Sequence, residues 1–183
     1  MPELFVKALQ PSILEVHPPQ IQTVARSLFT TPEFLWSRPT YDAKKSVFNL
    51  QPCDNGFERS FAAFLDHAED VQALAKLPRQ FGFAIEYADA AGNLRLDYPD
   101  FVAVDTAGGF WLLETKGQED INVTLKDRAA TVWCQTATAL GLGNWRYQKV
   151  PQKAFESFGP SRISQLSELT PTATDALSPA PPP

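Results

Sequence analysis

The stretch YPDFVAVDTAGGFWLLETKG, from Tyr98 to Gly117, predicts a buried β-hairpin, since two apolar runs flank a turn at DTAGG. Three charged residues interrupt it: Asp100 lies near its start, and Glu114 and Lys116 lie near its end. Charged side chains are almost never buried without a partner, because an unpaired charge in a core is very costly. Whether these three side chains meet therefore decides how the hairpin is interpreted.

The register of the hairpin determines which side chains lie opposite each other. A turn centred on Ala107 places Asp100 directly opposite Glu114, and opposed residues share a face with their Cβ atoms about 5 Å apart. The two-residue period of a strand then puts Lys116 on the same face as Glu114. A shift of one residue would put Asp100 and Glu114 on opposite faces, so the prediction holds only for the register centred on Ala107.

Two carboxylates placed opposite each other on one face repel, so another group must compensate their charge. Lys116 can neutralise one of them. A divalent cation can hold both, because magnesium and calcium prefer hard oxygen ligands, and Lys116 beside it would orient a water or stabilise developing negative charge. The alternative is a lysine–carboxylate pair at a strand end that opens to solvent and has no chemical role.

Periodicity and turn residues around the hairpin predict the order helix, three strands, helix, strand, which is typical of a mixed α/β layer arrangement. The helices are expected over Phe57–Leu77 and Val123–Gly141, and the strands outside the hairpin at FGFAIEY and NWRYQKV. Glu58 lies on the side of the first helix that carries Phe61 and Leu65, where an acid is costly unless it faces a ligand or a partner. The alternative for Glu58 is a first-turn acid that favours the helix dipole.

The composition is that of an ordinary soluble globular protein: of 183 residues, 44 % are hydrophobic and 20 % are charged. The formal net charge of -5 argues against a surface that binds nucleic acid everywhere, but it allows a local basic groove. The two cysteines and two histidines show no zinc-binding spacing. The sequence shows no signal peptide and no apolar run that could span a bilayer, so a cytoplasmic location without a membrane partner is expected.

YPDF followed by LLETKG resembles the signature of the PD-(D/E)xK nucleases, with Asp100 in the first part and Glu114 and Lys116 in the second. The flanking sequence extends the resemblance, since a glutamate-bearing stretch, FERSFAAFLD, lies upstream and LKDRAATVWCQ lies downstream. Over roughly residues 55 to 155 the chain resembles the endonuclease domain at the C-terminus of type III restriction enzyme Res subunits. The resemblance implies an α/β, restriction-endonuclease-like core of the order α-β-β-β-α-β, with a central mixed sheet of about four or more strands flanked by helices.

The resemblance also implies a chemistry and a set of site residues. The enzyme would cut DNA phosphodiester bonds with Mg²⁺, for which Mn²⁺ can substitute, as part of a restriction or defence system. Asp100 and Glu114 would bind the metal together with the backbone carbonyl of Thr115. Lys116 would position the attacking water and stabilise the charge on the phosphate, and Glu58 would assist the metal or its water shell.

Lys126 and Gln135 lie in the second predicted helix, at positions where the superfamily often has an accessory polar residue. Both are therefore candidate accessory residues of the site. The alternative for both is an ordinary exposed position on a helix surface of mixed polarity.

Composition and the resemblance together divide the chain into three segments. Residues 1–54 are expected to be an N-terminal extension that packs on the core, 55–158 the nuclease core, and 159–183 a disordered tail rich in Pro, Ala, Ser and Thr. Double-stranded DNA is the expected partner. Res subunits carry a helicase motor, whereas this sequence has no GxxxxGK(S/T) phosphate loop. The expected alternatives are a stand-alone nuclease, a truncated one, or one subunit of a split system whose partner is a helicase/ATPase or a modification subunit.

Two other functions stay open at the level of sequence. One is a nuclease-fold module without catalytic activity that binds DNA or a partner protein, because a fold alone does not determine function. The other is a metal-dependent nuclease that acts on RNA or on branched DNA. A structure in which Glu114 and Lys116 face away from Asp100 would exclude the catalytic hypotheses.

Overall fold

The structure, a computed structural model, describes residues 27–117 and 123–169. The strands in these ranges are β1 Thr40–Tyr41, β2 Gln51–Pro52, β3 Val71–Lys76, β4 Ile85–Ala88, β5 Leu94–Asp97, β6 Phe101–Asp105, β7 Gly109–Lys116 and β8 Asn144–Pro151. The α-helices are α1 Gly56–His67, α2 Val123–Ala139 and α3 Gln152–Phe158, and short 3-10 helices lie at Leu28–Thr30, Arg79–Phe81 and Ile163–Leu169. None of the helices in the described ranges combines the length and the apolar composition needed to cross a membrane.

Four strands form the central sheet, in the order β3-β6-β7-β8. β6 pairs antiparallel with β3 and with β7, whereas β7 and β8 run parallel. A parallel pair needs a crossover connection, which α2 supplies between β7 and β8. The chain therefore has the predicted mixed α/β fold, with a central mixed four-stranded sheet flanked by helices and the order α1, β3, β6, β7, α2, β8.

The hairpin formed by β6 and β7 has the predicted register. Phe101 pairs with Leu113, and the same register holds along the whole ladder, which centres the turn on Ala107. One residue beyond the ladder, the same register brings the backbone of Asp100 level with Glu114, and the Asp100 side chain turns towards Thr115 and Lys76. The shift of one residue that would have separated these two carboxylates does not occur.

A buried carboxylate holds the turn of this hairpin. Asp105 accepts hydrogen bonds from the backbone N–H groups of Ala107 and Gly109 at 3.0 and 2.7 Å, and from the indole N–H of Trp111 at 2.8 Å. Gly108 has a φ of 81°, which favours glycine. A Cβ at Gly109 would lie 2.6 Å from Asp105 Oδ2. Close packing and hydrogen bonding in the turn therefore stabilise the observed register.

The predicted helix over Phe57–Leu77 is wrong in its second half. α1 ends at His67, and Val71–Lys76 forms β3, an edge strand of the central sheet. The short apolar run VQALAKL suits a helix as well as a strand, and periodicity cannot separate the two over so few residues. Antiparallel pairing with β6, which buries the run on the sheet, decides between them.

The predicted strand FGFAIEY does not belong to the central sheet. Part of it forms β4, which pairs antiparallel with β5 in a separate two-stranded sheet. This small hairpin is inserted between β3 and β6 in the chain. Because β5 ends at Asp97, three residues before Asp100, the insertion brings a further carboxylate close to the start of β6.

Alternation along β7 divides the core between the two faces of the sheet. Leu113 packs with Phe61 of α1, whereas Leu112 packs with Ala130 and Cys134 of α2. Successive side chains of a strand point to opposite faces. The even-numbered residues of β7, which include both charged residues of LETKG, therefore face α2, and the odd-numbered residues face α1.

The N-terminal segment contributes to the core on the α1 side. Ala43 and Cys53 belong to the same buried cluster as Phe61, and β1 pairs with β2 beside it. Residues 40–53 of the predicted extension therefore pack on the core, whereas no residue from 27 to 39 is buried. Residues 1–26 lie outside the described residues.

The chain after α3 also packs on the core, over residues 159–169. Ile163 is fully buried. Asp70 accepts hydrogen bonds from the backbone N–H groups of Ile163 and Ser164 at 2.8 and 3.1 Å and from the Ser164 hydroxyl at 2.9 Å. A disordered tail that begins at residue 159 is therefore wrong, because apolar residues just beyond that point cover the core. Residues 170–183 lie outside the described residues.

Candidate functional site

Charged side chains from several elements line the end of the central sheet where β6 begins and β7 ends. They fall into two groups, one on each side of the sheet. The Lys76 cluster, on the α1 side, consists of Asp54, Glu58, Lys76 and Asp100. The Glu114 cluster, on the α2 side, consists of Asp97, Glu114, Lys116 and Lys126.

Asp100 links the two clusters. Its Oδ1 lies 3.1 Å from Lys76 Nζ, and its Oδ2 accepts hydrogen bonds from the backbone N–H and the hydroxyl of Thr115 at 2.9 and 2.6 Å. Its backbone carbonyl accepts a hydrogen bond from the N–H of Leu77 at 2.7 Å. The Asp100 side chain is therefore held against β7 at Thr115, the residue next to Glu114.

Glu114 is a buried carboxylate without a full set of partners. It is 7 % exposed, and its Oε1 lies 3.1 Å from Lys116 Nζ. Its Oε2 is buried and has no hydrogen-bond partner among the described residues. Burial, and after it the charges of Asp100 and Asp97, raise the pKa of Glu114 to about 8. Because a buried oxygen without a donor is unfavourable, this position suits a cation.

Asp97 belongs to the site but was not among the residues predicted from the sequence. It is largely buried at the end of β5, 3.1 Å from Lys126 Nζ. Burial lowers the pKa of Lys126, but the negative charge of Asp97 outweighs it and raises the pKa above its ordinary value. Lys126, a predicted accessory residue, is thus brought to the Glu114 cluster. The sequence did carry a signal for Asp97, which is an acid three residues before Asp100.

Gln135, the other predicted accessory residue, does not lie at the site. It is exposed on α2, nine residues after Lys126, and at about 100° per residue it points to the opposite side of the helix. The buried stripe of α2, which includes Ala130 and Cys134, packs on the sheet. The ordinary exposed position considered for Gln135 is therefore the one observed.

Lys76 is a buried lysine at the end of β3, with a side chain only 5 % exposed. Its Nζ lies 2.7 Å from Glu58 Oε2, 3.1 Å from Asp54 Oδ2 and 3.1 Å from Asp100 Oδ1. Three carboxylate oxygens thus match the three donors of one ammonium group. Burial lowers the pKa of Lys76, but Asp100 and Glu58 outweigh it and hold the pKa above its ordinary value. Lys76 was missed because the sequence placed it in a helix rather than in β3.

Glu58 reaches the site from the first turn of α1 and also caps that helix. The Asn55 side chain accepts a hydrogen bond from the Glu58 N–H at 2.9 Å, and Glu58 accepts hydrogen bonds from the Asp54 N–H at 2.8 Å and from Asn55 Nδ2 at 3.1 Å. This is a variant of the capping box, in which the carboxylate at the third helical position accepts from the backbone N–H of the residue before the N-cap Asn55. Burial raises the pKa of Glu58, and Lys76 opposes the effect only in part. Both interpretations of Glu58 therefore describe its surroundings, since it is a first-turn acid that also faces a charged partner.

The donor set of the site fits a divalent cation on the Glu114 side. Glu114 Oε2 is a hard oxygen ligand without a donor. Both oxygens of Asp100 have protein partners, yet an ionised carboxylate has about four lone-pair sites, so Asp100 can share an oxygen with a metal. No three His, Cys, Asp or Glu side chains within 27–117 and 123–169 are grouped so that they could hold a metal ion. The predicted set uses two carboxylates and the carbonyl of Thr115.

The Lys76 cluster fits a divalent cation less well. Lys76 contacts all three of its carboxylates, and Arg38 pairs with the second oxygen of Asp54. The second oxygen of Glu58 accepts the Asn55 amide, and that of Asp100 accepts Thr115. Each carboxylate oxygen of this cluster therefore has a partner within the protein.

The chain matches no family model, no curated protein and no solved structure. The resemblance to PD-(D/E)xK nucleases therefore stays a prediction, carried by the YPDF and LLETKG motifs. The geometry at the end of the sheet is independent of that resemblance. It brings Asp100, Glu114, Thr115 and Lys116 to one place and adds Asp97 and Lys76 to them.

Proposed function

We propose that this protein is a Mg²⁺-dependent nuclease that hydrolyses DNA phosphodiester bonds. One observation carries the proposal: the register of the hairpin brings Asp100 and Glu114 to the same end of the sheet, and Glu114 presents a buried oxygen without a donor beside Lys116. Buried carboxylates with a shifted pKa and a specific charged partner are more frequent at functional sites than elsewhere. The restriction or defence setting and a motor subunit as partner stay predictions of the sequence.

In this proposal Asp100, Glu114 and the Thr115 carbonyl hold the metal ion. Mg²⁺, when bound, supplies a Lewis acid and lowers the pKa of a coordinated water. Lys116 Nζ, 3.1 Å from Glu114 Oε1, orients the attacking water and stabilises negative charge that develops on the phosphate. Thr115 donates two hydrogen bonds to Asp100 and so fixes the direction of that carboxylate.

Cations at the rim of the site supply contacts for a DNA backbone. Lys116 and Lys126 are each partly exposed. Arg79 is exposed, and its guanidinium lies 4.9 Å from the ring centre of Tyr98, two residues before Asp100. Contacts to phosphates supply most of the sequence-independent affinity for DNA. A local group of cations of this kind can contact a DNA backbone even though the formal net charge of the chain is -5.

A second candidate function is a nuclease-fold module that binds DNA or a partner protein without cutting. It is favoured by the partners of Asp100, since Lys76 and Thr115 already engage both of its oxygens. The lysines of the Glu114 cluster likewise pair with Glu114 and Asp97. In such a module these ion pairs would serve stability alone.

The deciding experiment is cleavage of supercoiled and linear duplex DNA by the purified chain with Mg²⁺, Mn²⁺ or EDTA. The variants are Glu114→Gln and Lys116→Met, and their matched controls are Glu86→Gln and Lys153→Met, which change exposed residues of β4 and α3. We expect metal-dependent cleavage that both site variants lose and both controls keep. Single-stranded RNA and a four-way DNA junction, tested in parallel, identify the preferred substrate.

Two results would contradict the proposed nuclease. A folded wild-type chain that binds duplex DNA without cutting it, in any of the metals, would leave the binding module as the function. Cleavage that persists in Glu114→Gln would place the chemistry elsewhere, or would assign it to a contaminant.

A further inference from the structure

The Lys76 cluster surrounds one cation, the ammonium of Lys76, with oxygens from separate chain segments. Asp54 and Glu58 flank the start of α1, and Asp100 precedes β6. Their oxygens lie 2.7 to 3.1 Å from Lys76 Nζ, which are the distances of charge-assisted N–H···O bonds. A magnesium ion in the same place would draw its ligands to about 2.0–2.1 Å. The ammonium thus fills the point at which three carboxylates converge, and a small divalent ion there would require these oxygens to move inwards by roughly 0.6–1 Å.

Lys76 is held in this position by the sheet. β3 pairs with β6 so that Lys76 lies opposite Phe101, and the Phe101 ring centre is 5.4 Å from Lys76 Nζ. The side chain therefore leaves a paired strand, crosses an aromatic surface and ends among carboxylates. Such a lysine is preorganised, unlike a long side chain at the surface that samples many rotamers.

The charge balance of the cluster depends on Lys76. Its three carboxylates are offset by Lys76 and by Arg38, which pairs with Asp54 from the exposed side. Loss of the Lys76 charge would leave two negative charges without a counterion, and this equals the charge of one divalent cation. Buried carboxylates tolerate such a loss poorly, so they gain either a proton or another cation.

We propose that the Lys76 ammonium takes the place of a divalent metal ion between Glu58 and Asp100. Lys76 thereby keeps a second metal out of the site and acts as a positioning residue that holds Asp100 Oδ1. The number of metals in the wild-type chain rests on the proposed function, which assigns one to the Glu114 cluster. The role of Lys76 does not rest on the proposed function. It concerns only the number of metal ions that bind after removal of this lysine, compared with the number that bind before.

The test counts Mn²⁺ ions bound per chain by isothermal titration and by electron paramagnetic resonance. Lys76→Ala removes the ammonium, and Lys76→Arg is the matched control that keeps the charge. We expect Lys76→Ala to bind one more equivalent than the wild type, with a Kd at least tenfold lower than any further binding to Lys76→Arg. Mg²⁺ should also raise the Tm of Lys76→Ala by more than it raises the Tm of the wild type.

An equal number of Mn²⁺ ions in Lys76→Ala and the wild type would overturn the inference, as would a wild type that already binds Mn²⁺ at Glu58. If Lys76→Ala folds only when Mn²⁺ or Mg²⁺ is present, the inference is supported. If it stays unfolded even with metal, the double variant Lys76→Ala with Asp54→Asn, which carries one negative charge fewer, is titrated instead. No additional equivalent in a folded double variant, or failure of this variant to fold with metal, would overturn the inference.

The same titration separates this inference from the proposed function. No ion in the wild type and one in Lys76→Ala would support the role of Lys76 and remove the metal proposed for Glu114. One ion in the wild type, two in Lys76→Ala and no cleavage of any nucleic acid would remove the nuclease and leave the role of Lys76 intact.

Discussion

The Lys76 cluster and the Glu114 cluster lie at the same end of the central sheet, on opposite sides of it, and each contains carboxylates paired with lysine. In the Lys76 cluster, one ammonium contacts three carboxylates, and each carboxylate oxygen has a partner. In the Glu114 cluster, two lysines each contact one carboxylate, and Glu114 Oε2 is buried without a donor. The two clusters therefore differ in how completely their oxygens are satisfied.

This difference shows why ion pairs alone do not identify a reactive site. A cluster whose oxygens all have partners has little capacity for a ligand, because a ligand must first displace a favourable contact. A cluster with one unsatisfied oxygen gains free energy when a cation arrives. The comparison thus assigns stability chiefly to the Lys76 cluster and chemistry chiefly to the Glu114 cluster, and the following substitutions test that division.

The largest effect on stability is expected for Lys76→Met. In EDTA this substitution leaves three carboxylates with Arg38 as their remaining cationic partner, and removal of one member of a buried ion pair destabilises by about 3–5 kcal/mol. Lys116→Met, the matched change in the Glu114 cluster, removes a more exposed lysine and should cost less than about 1 kcal/mol. Urea unfolding followed by tryptophan fluorescence measures both free energies. Equal losses would mean that the two clusters do not differ as described.

Glu114→Gln is expected to stabilise the protein while it removes the proposed activity. In EDTA near pH 8, the change should raise the free energy of unfolding by about 1–3 kcal/mol, because it replaces a buried acid that lacks a donor. Glu58→Gln, the matched change in the Lys76 cluster, should instead lower it, because it weakens an ion pair and a capping box. Thermal unfolding of the two variants beside the wild type compares the signs. A loss of stability in Glu114→Gln would contradict the account of the unsatisfied oxygen.

The pH dependence of the free energy of unfolding, measured without metal, also tests the account of Glu114 Oε2. The pKa of Glu114 is raised from 4.5 to about 8 in the folded chain, so the folded state keeps a proton that the unfolded state releases. The free energy of unfolding should therefore fall as pH rises from about 4.5 to about 8 in EDTA. Glu114→Gln removes this part of the slope. A slope in that interval that is the same in both proteins would show that Glu114 titrates at its ordinary value.

Asp70 is a third carboxylate, outside both clusters, and its partners are backbone N–H groups and one hydroxyl. Burial raises its pKa, but the hydrogen bonds from Ser164 and Ile163 outweigh this and lower the pKa below 3.8. Asp70 therefore stabilises the fold at neutral pH, and this contribution is lost as pH falls below about 3.8. Asp70→Ala should lower the free energy of unfolding by about 1 kcal/mol at pH 7, as the loss of a helix cap does. Glu168→Ala, which changes an exposed residue of the 3-10 helix Ile163–Leu169 that Asp70 caps, should leave it unchanged. Urea unfolding at pH 7 and pH 3 measures both changes, and a cost of Asp70→Ala that is no smaller at pH 3 than at pH 7 would contradict this account.

The smallest effects are expected on α2. Lys126→Ala removes the partner of Asp97, so it should cost about 0.2–1 kcal/mol and weaken binding of duplex DNA at low salt. Gln135→Ala, on the opposite side of the helix, should change stability by less than about 0.5 kcal/mol and leave DNA binding unchanged. Urea unfolding and fluorescence anisotropy with a labelled duplex measure both. A Gln135 variant with the larger effect would reverse the assignment of these two residues.

The register of the hairpin was predictable because its turn has strong local signals. The glycines of DTAGG permit a tight turn, and a turn centred on Ala107 fixes which residues of the two flanking strands lie opposite each other. Once the register is known, the approach of Asp100 and Glu114 follows from the strand period. The helix acid Glu58 was also predictable, because it falls on the apolar side of a strongly periodic helix.

Lys76 and Asp97 were not predictable in the same way, because tertiary pairing determines their positions. VQALAKL suits both a helix and a strand, and only its pairing with β6 places Lys76 among the carboxylates. Asp97 reaches the site because β4 and β5 form a hairpin of their own, and no local pattern distinguishes that arrangement from a strand continuous with β6. Residues that come from separate elements therefore escaped a prediction based on local spacing.

The hydrogen bonds of Asp105 at the turn have a consequence for how this sequence can diverge. An insertion or deletion of one residue between Asp105 and Gly109 would turn every later residue of β7 to the opposite face, and it would separate Glu114 from Asp100 without touching either. Evolution can change this hairpin by substitution but not by length. The connection between β4 and β5 at residues 89–93 lies at the exposed tip of a separate sheet, so a change of length there leaves the register of β6 and β7 intact. Length differences among relatives of this chain are therefore expected to collect there, and the distance along the chain from Asp100 to Glu114 should stay constant.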